Sequence, residues 1–149
     1  LLIMDVDHFK NFNDTYGHLQ GDRMLKRLTE VIQENIRASD VLARFGGEEF
    51  VVMLPDTTLY EASKTAHKIQ ALMAQNLWIE LGEGSLPKQA STTVSIGISS
   101  SPQPATDIDS LIHTADIALY EAKEGGRNQV KCYQVNNLSI ATHLKTVSG

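Results

Sequence analysis

Residues 40–54 read DVLARFGGEEFVVML. Two strand-like runs flank the pair Gly46-Gly47, and glycine pairs between such runs mark a β-hairpin, because both residues can take positive φ. FVVML, residues 50–54, is apolar at every position, which predicts a strand buried on both faces. Glu48 and Glu49 sit where this strand begins. Charges at the mouth of a buried strand need a reason. Successive strand residues face opposite sides, so the two glutamates share one site only if the turn twists the backbone.

On the N-terminal side, LLIMDVD is a short apolar strand ending in acids, and HFKNFNDTYGHLQGD is a polar loop or short helix. A helix follows, with Leu25, Leu28, Val31, Ile32 and Ile36 spaced by three and four. After the hairpin, Pro55-Asp56 closes the strand. Thr58 with Glu61 forms a capping box for a helix that turns Ala62, Ala66, Ile69 and Leu72 inward. LGEGSLPKQ reads as a hairpin turn before the β-branched strand STTVSIGIS. Thr106 with Asp109 is expected to cap a third helix, with inner residues Ile108, Leu111, Ile112, Ala115 and Leu119. KEGGRN ends that helix and QVKCYQV is a last strand. The elements predict an α/β sandwich, a central, mostly antiparallel sheet of about five strands flanked by helices.

With 149 residues, 42% of them hydrophobic and 21% charged, the chain suits one compact domain. Its single cysteine, Cys132, excludes an internal disulfide, fits a small core residue and suits a reducing cytoplasm. A net charge of −5 argues against nucleic-acid binding through a broad basic face. No apolar run nears the ~20 residues that span a bilayer. The chain opens on Leu1 and is expected to be a piece of a longer protein, in which a membrane anchor is compatible with everything here.

An Asp and a Glu converging at strand ends make a hard-oxygen site suited to Mg²⁺, and two carboxylates leave open positions for phosphate oxygens. One of the two glutamates is therefore expected to join Asp5. Taken alone, Asp22 reads as a helix N-terminal acid, Asn13 as a turn residue and Lys123 as a solvated lysine at a helix end.

RFGGEEF together with MDVDHFKNFNDTYGHLQGD, TVSIGIS and ADIALYEAKEGGRNQV resembles the GGDEF family, the diguanylate cyclases, from Leu1 to about Tyr133. The resemblance implies a nucleotidyl cyclase or polymerase-palm fold with a ferredoxin-like core. It implies two GTP molecules joined into cyclic di-GMP with release of pyrophosphate. Asp5, the Val6 carbonyl and Glu48 would hold Mg²⁺ or Mn²⁺. Glu48 would also serve as base, with Glu49 assisting. Asn13 and Asp22 match the guanine contacts, and acceptor-only Asp22 suits the two adjacent N–H donors of guanine. His18, Phe9, Gly46 and Gly47 fall at substrate-lining positions. Lys10, Lys123, Arg127 and the N–H groups of residues 8–10 would meet the triphosphate. Arg37 and Asp40, expected on one side of a helix end, match a product-inhibition site for cyclic di-GMP. One site per chain and two GTPs per product imply a homodimer, driven by an N-terminal sensor or regulatory domain in the parent protein.

The expected division is a catalytic domain over 1–133 and a tail over 134–149. The family's usual Asp-x-Leu-Thr-x-Leu-x-Asn-Arg segment before the first strand is not in this sequence. Apolar surface is therefore expected to stand uncovered, with the tail, a second chain or marginal packing making up for it. The alternative to an enzyme is a non-catalytic module that binds GTP or cyclic di-GMP.

Overall fold

The computed structural model describes residues 1–76, 78–82, 84 and 89–135. Among these described residues, seven strands and four helices follow in the order β1 (Leu2–Val6), α1 (Phe9–Tyr16), α2 (His18–Gln33), β2 (Val41–Arg44), β3 (Glu49–Met53), α3 (Leu59–Asn76), β4 (Trp78–Glu80), β5 (Gln89–Ser91), β6 (Val94–Ile98), α4 (Ile108–Glu124) and β7 (Val130–Cys132). Five strands form one sheet in the order β2-β3-β1-β6-β7. β1 lies at its centre, antiparallel to β3 and β6, and only β6–β7 is parallel. β4 and β5 form a separate antiparallel pair, as the hairpin reading of LGEGSLPKQ expects.

The two faces of the sheet are unequally packed. Leu2, Met4 and Val6 of β1 join Phe50 and Val52 of β3 beneath α1, α2 and α3 in the main core. α2 contributes Met24, Leu25, Leu28, Val31 and Ile32, and α3 contributes Ala62, Ala66, Ile69 and Met73. On the opposite face Ile3 meets Ala115 and Leu119 of α4 in a much smaller cluster. Gly97 sets that contact: a Cβ there would lie 2.2 Å from the Ala115 carbonyl and the Leu119 nitrogen, so any side chain would push α4 off β6.

Several expectations need correction. FVVML is not buried on both faces: Phe50 and Val52 are buried, Val51 is half-buried and Met53 is exposed. Met53 pairs with Val41, and both belong to a strip of β2 and β3 that α4 does not reach, so apolar surface does stand uncovered there. The Gly46-Gly47 hairpin forms, but neither glycine has positive φ. The Thr58–Glu61 box is present. For α4 the box is one residue later than Thr106, with Asp107 accepting from Ser110 N–H at 2.7 Å. The buried face of α4 also shifts, to Thr114, Ala115, Ala118, Leu119 and Ala122, while Ile108 is exposed. Small residues sit where the helix approaches Gly97, and a search for large apolar residues passes over them. Cys132 is half-buried against the main core. The proposed covering role of the tail falls almost wholly on residues 136–149, which lie outside the described residues.

Candidate functional site

Asp5 lies one residue from the end of β1, opposite Glu49 on β3 and Ser95 on β6. Directly opposed residues on antiparallel strands present side chains to one face. Asp5 and Glu49 therefore share the face of Ile3 and α4. The ladder runs one step further, with Val6 N–H donating to the Glu48 carbonyl at 3.2 Å, which pins the hairpin loop to β1. Phe45 N–H and Gly46 N–H both donate to the Glu49 carbonyl, at 2.8 and 3.2 Å. The Arg44 guanidinium closes the loop from outside, donating to the carbonyls of Gly46 and Gly47. Arg44 has a structural role that the sequence reading missed.

Glu48 sits in this bend. Its carboxyl is pushed above the ordinary range first by burial and then by the charge of Asp5, with Lys123 opposing and Glu49 adding to the rise. Asp5 is also raised, chiefly by burial, although Lys123 Nζ sits 2.9 Å from its Oδ2 and works the other way. The Arg127 charge also acts on Asp5. Asp5, Glu48, Glu49, Lys123 and Arg127 thus come together at the hairpin end of the sheet. Gly46 leaves room for the Glu49 carboxylate, whose Oε2 would lie 3.1 Å from a Cβ there, and Gly47 faces open space.

Among the described residues no three His, Cys, Asp or Glu side chains converge in a metal-binding arrangement. The donor set still fits a hard divalent cation. Burial raises the proton affinity of both Asp5 and Glu48, and Asp5 already has the Lys123 ammonium beside it. Mg²⁺ is commonly held by one or two carboxylates and completes its shell with water and phosphate.

The start of α1 supplies a second element. His8 is left-handed, φ 55°, and no side chain caps the helix. The first-turn N–H groups of a helix have no intrahelical acceptor. A left-handed residue leading into such a turn makes a concave anion site beside the β1 acids. Lys10 is exposed on this turn. Phe9 is buried beside Phe12, so only its backbone can face a ligand.

Asn13 and Asp22 lie on the neighbouring helices α1 and α2. Asp22 is exposed in the second turn of α2, which begins at His18, so it is not an N-terminal helix acid. It lines a cleft with Leu25, Lys26, Leu42, Arg44 and Phe50. Asn13 Oδ1 is buried and has no hydrogen-bond partner. It rests against Gly21, where a Cβ would come within 1.8 Å of it. Gly21, another residue missed from sequence, is what lets Asn13 lie there. Its signal was a glycine inside a helical stretch, where it costs stability without a packing reason. His18 is exposed at the first position of α2.

Arg37 and Asp40 are not on a helix end. α2 stops at Gln33, and the pair forms a turn in which Arg37 N–H donates to Asp40 Oδ2 at 2.7 Å. The Arg37 side chain is exposed, and Asp40 Oδ1 is buried without a partner. This turn leads into β2 at Val41, so the strand separates it from the hairpin loop by roughly 13 Å at ~3.3 Å per residue.

The family described as "Diguanylate cyclase, GGDEF domain" matches residues 1–129. Diguanylate cyclase A of Treponema denticola is 40% identical over 141 residues, which cover 95% of this chain and 36% of that protein. The chain spans about a third of the length of the curated relatives it matches. Among solved structures, the GGDEF domain of YfiN (TpbB) from Pseudomonas aeruginosa superposes with a TM-score of 0.81 at 37% identity, covering 91% of this chain and 81% of that one. The GGDEF domain of DgcB from Caulobacter crescentus, solved in complex with c-di-GMP, gives 0.77 at 32% identity, covering 90% and 77%. Among the described residues no helix is long and apolar enough to cross a membrane.

Proposed function

The chain belongs to the GGDEF family of diguanylate cyclase domains, and from that premise we propose that residues 1–133 condense two GTP molecules into cyclic di-GMP. Each 3′-oxygen attacks the α-phosphorus of the other GTP. One P–O bond forms and one breaks at each centre, and pyrophosphate leaves with the electron pair. Each chain presents one GGEE hairpin and so one GTP site, and two chains would meet as a homodimer for the reaction. Residues beyond the domain, including a sensor or regulatory segment of the parent protein, set how often they meet.

Asp5, Glu48 and the Val6 carbonyl would hold Mg²⁺ or Mn²⁺. A divalent ion bound there neutralises phosphate charge and lowers the pKa of a nearby hydroxyl. Glu48 would also be placed to take the proton of the 3′-hydroxyl, whose acidity the divalent ion would raise. Glu49 balances charge on the face shared with Asp5. The N–H groups of residues 8–10 and the Lys10 ammonium receive the outer phosphates, while Gly47 leaves space for the nucleotide to lie against backbone. Lys123 and Arg127 complete the cationic side. Lys123 neutralises Asp5 at 2.9 Å before any ligand arrives, and it is one short step from serving a phosphate instead.

Guanine is read by Asn13 and Asp22. Both offer acceptors to its N1 and N2 hydrogens, whereas adenine would leave Asp22 facing an acceptor. His18, exposed at the start of α2, lines the same entry. Arg37 and Asp40, on their own turn across the sheet, bind the product and slow the enzyme. The Arg fork matches guanine O6 and N7, and the Asp40 carboxylate matches N1 and N2.

The observation that carries this reading is the meeting of Asp5, Glu48, Lys123 and Arg127 at one end of β1. Incubation with GTP and Mg²⁺, followed by chromatography for a cyclic dinucleotide, tests it. Product from the parent and none from Glu48→Ala is expected. Nucleotide binding without product would make the chain a GTP- or cyclic di-GMP-binding module instead.

A further inference from the structure

Asp7 is the acid of the DVD run that the proposed reaction leaves without a role. It follows β1 directly, it is only 2% exposed, and both its oxygens are occupied. Thr93 Oγ1 and Asn128 N–H donate to Oδ2 at 2.6 and 3.0 Å, and Ser95 Oγ donates to Oδ1 at 2.7 Å. Its main chain is held too, with its N–H donating to the Thr93 carbonyl and its carbonyl accepting from Thr92 Oγ1. Protein donors take three of the roughly four acceptor sites of this buried carboxylate.

What it grips is informative. Asn128 is 121 residues away and closes the turn after α4. That turn holds three successive left-handed residues, Gly126 at φ 114°, Arg127 at 62° and Asn128 at 47°. Two of them are not glycine, and such a backbone persists only where its surroundings enforce it. Asp7 holds it from the β1 side. Gln70 of α3 holds it from the other, its Nε2 donating to the Asn128 carbonyl at 3.0 Å and to Oδ1 at 2.6 Å. Arg127 immediately precedes the residue that both grips hold; its N–H donates to the Ala122 carbonyl at 3.0 Å, its Nη1 donates to the Lys123 carbonyl at 3.4 Å, and its charge acts on Asp5.

We propose that Asp7 is a positioning residue: with Gln70 it clamps the left-handed 126–128 turn so that Arg127 faces the phosphate end of the site. This rests on the reading of Arg127 as a triphosphate cation. A hydrogen-bonding role and a ligand role separate cleanly at this position. In Asp7→Asn, Oδ1 can take the place of Oδ2 and accept from Thr93 and Asn128. The amide then donates to Ser95 Oγ, whose hydroxyl rotates to accept. The geometry survives and only the charge is lost.

The test has a kinetic and a structural arm. In the kinetic arm, Asp7→Ala lowers kcat/KM for GTP by roughly tenfold or more, the scale of a lost hydrogen bond to a charged group. Asp7→Asn restores it to within about threefold of the parent. In a double-mutant cycle, adding Asp7→Ala to Arg127→Ala costs no more than Arg127→Ala alone, because Asp7 acts on turnover only by placing Arg127. Gln70→Ala, which leaves no buried acid unpaired, gives a smaller loss with the same dependence on Arg127. It keeps the test usable if Asp7→Ala does not fold. Independent losses that multiply, or an Asp7→Asn as impaired as Asp7→Ala, overturn the proposal.

In the structural arm, hydrogen exchange at the Asn128 amide needs no turnover. Protection in the parent, kept in Asp7→Asn and reduced by at least about tenfold in Gln70→Ala, supports the clamp. An Asn128 amide that exchanges freely in the parent overturns it. A chain that forms no cyclic dinucleotide but protects this amide would sink the cyclase reading and leave the clamp in place.

Discussion

The charged end of β1 and the paired helices α1 and α2 are built in opposite ways. At the charged end several groups already have protein partners: Asp5 has Lys123, Asp7 has Thr93, Ser95 and Asn128, and the loop carbonyls have Arg44. Between the helices the proposed base-reading groups are left open. Asn13 Oδ1 is buried without a partner, and Asp22 and His18 are exposed. The first region is set by strand register, which fixes its acids before a ligand arrives. The second has acceptors whose donors must come from outside the chain. Substitutions should therefore abolish chemistry at the first and loosen recognition at the second.

The largest effect is expected from Glu48→Gln, which keeps the shape of the bend and removes its charge. Cyclic dinucleotide formation should fall by ~10³-fold or more, within the usual range for a lost acid–base group. The fold should be retained, since Glu48 makes no side-chain bond to another element. A variant that turns over at the parental rate would break the contrast at its stronger side. Gly21→Ala probes the other side. The added methyl must displace Asn13 Oδ1 and crowd the Phe9 ring, whose Cζ would be 3.1 Å away. Overpacking of this kind costs about 1–3 kcal/mol of stability. GTP binding should weaken by ~10–100-fold with less discrimination against ATP, while the rate at saturating GTP changes little. Equal loss of kcat would place Asn13 in the chemistry instead.

The two regions also differed in how legible they were. The strands, the hairpin and the candidate acids could be read because pattern and position coincide: alternation in β1, a glycine pair in the loop, acids at strand ends. Most of the misreadings depend on a partner distant in sequence. FVVML looked buried throughout because a run of apolar residues does not reveal that the packing against α4 takes in Val51 but leaves Met53 exposed. The buried face of α4 was read one turn too early because alanines packed near Gly97 carry little apolar signal. Gly46-Gly47 were placed in a hairpin for a conformational reason that the structure does not use; Gly46 instead spares space for Glu49. Asp7 gave no local sign that its partner is Asn128.

A smaller effect is expected from pH. Asp5 and Glu48 hold their protons more tightly in the folded chain than in the unfolded one. Their contribution therefore favours the folded state below the ordinary carboxylate values near pH 4, and is lost as pH rises through their raised values. A bound divalent cation needs both groups ionised, so it works in the opposite direction. Mg²⁺ should raise the melting temperature by a few degrees at pH 7.5 and by less at pH 5, at ~2–4 °C per kcal/mol for a chain of this size. Asp5→Asn should remove the dependence. An Mg²⁺ shift of the same size at both pH values, or one that survives Asp5→Asn, would detach the cation from these carboxylates.

The smallest effect on the initial rate belongs to Arg37→Ala. Its side chain is exposed on the turn before β2, and the two bonds the turn makes to the residue, Arg37 N–H to Asp40 Oδ2 and Asp40 N–H to the Arg37 carbonyl, use its main chain, which alanine keeps. The strand between this turn and the hairpin separates the guanidinium from the reacting phosphates by more than its own reach. Early velocity should stay within about twofold of the parent, as for most exposed substitutions. The time course should nevertheless change: product formation that slows in the parent as cyclic di-GMP accumulates should continue in the variant. Asp40→Asn sharpens the point, because its amide would present a donor to guanine N1 while still accepting from Arg37 N–H. Progress curves that bend equally in all three proteins would show that the turn is only a turn, and that feedback, if present, acts elsewhere on the chain.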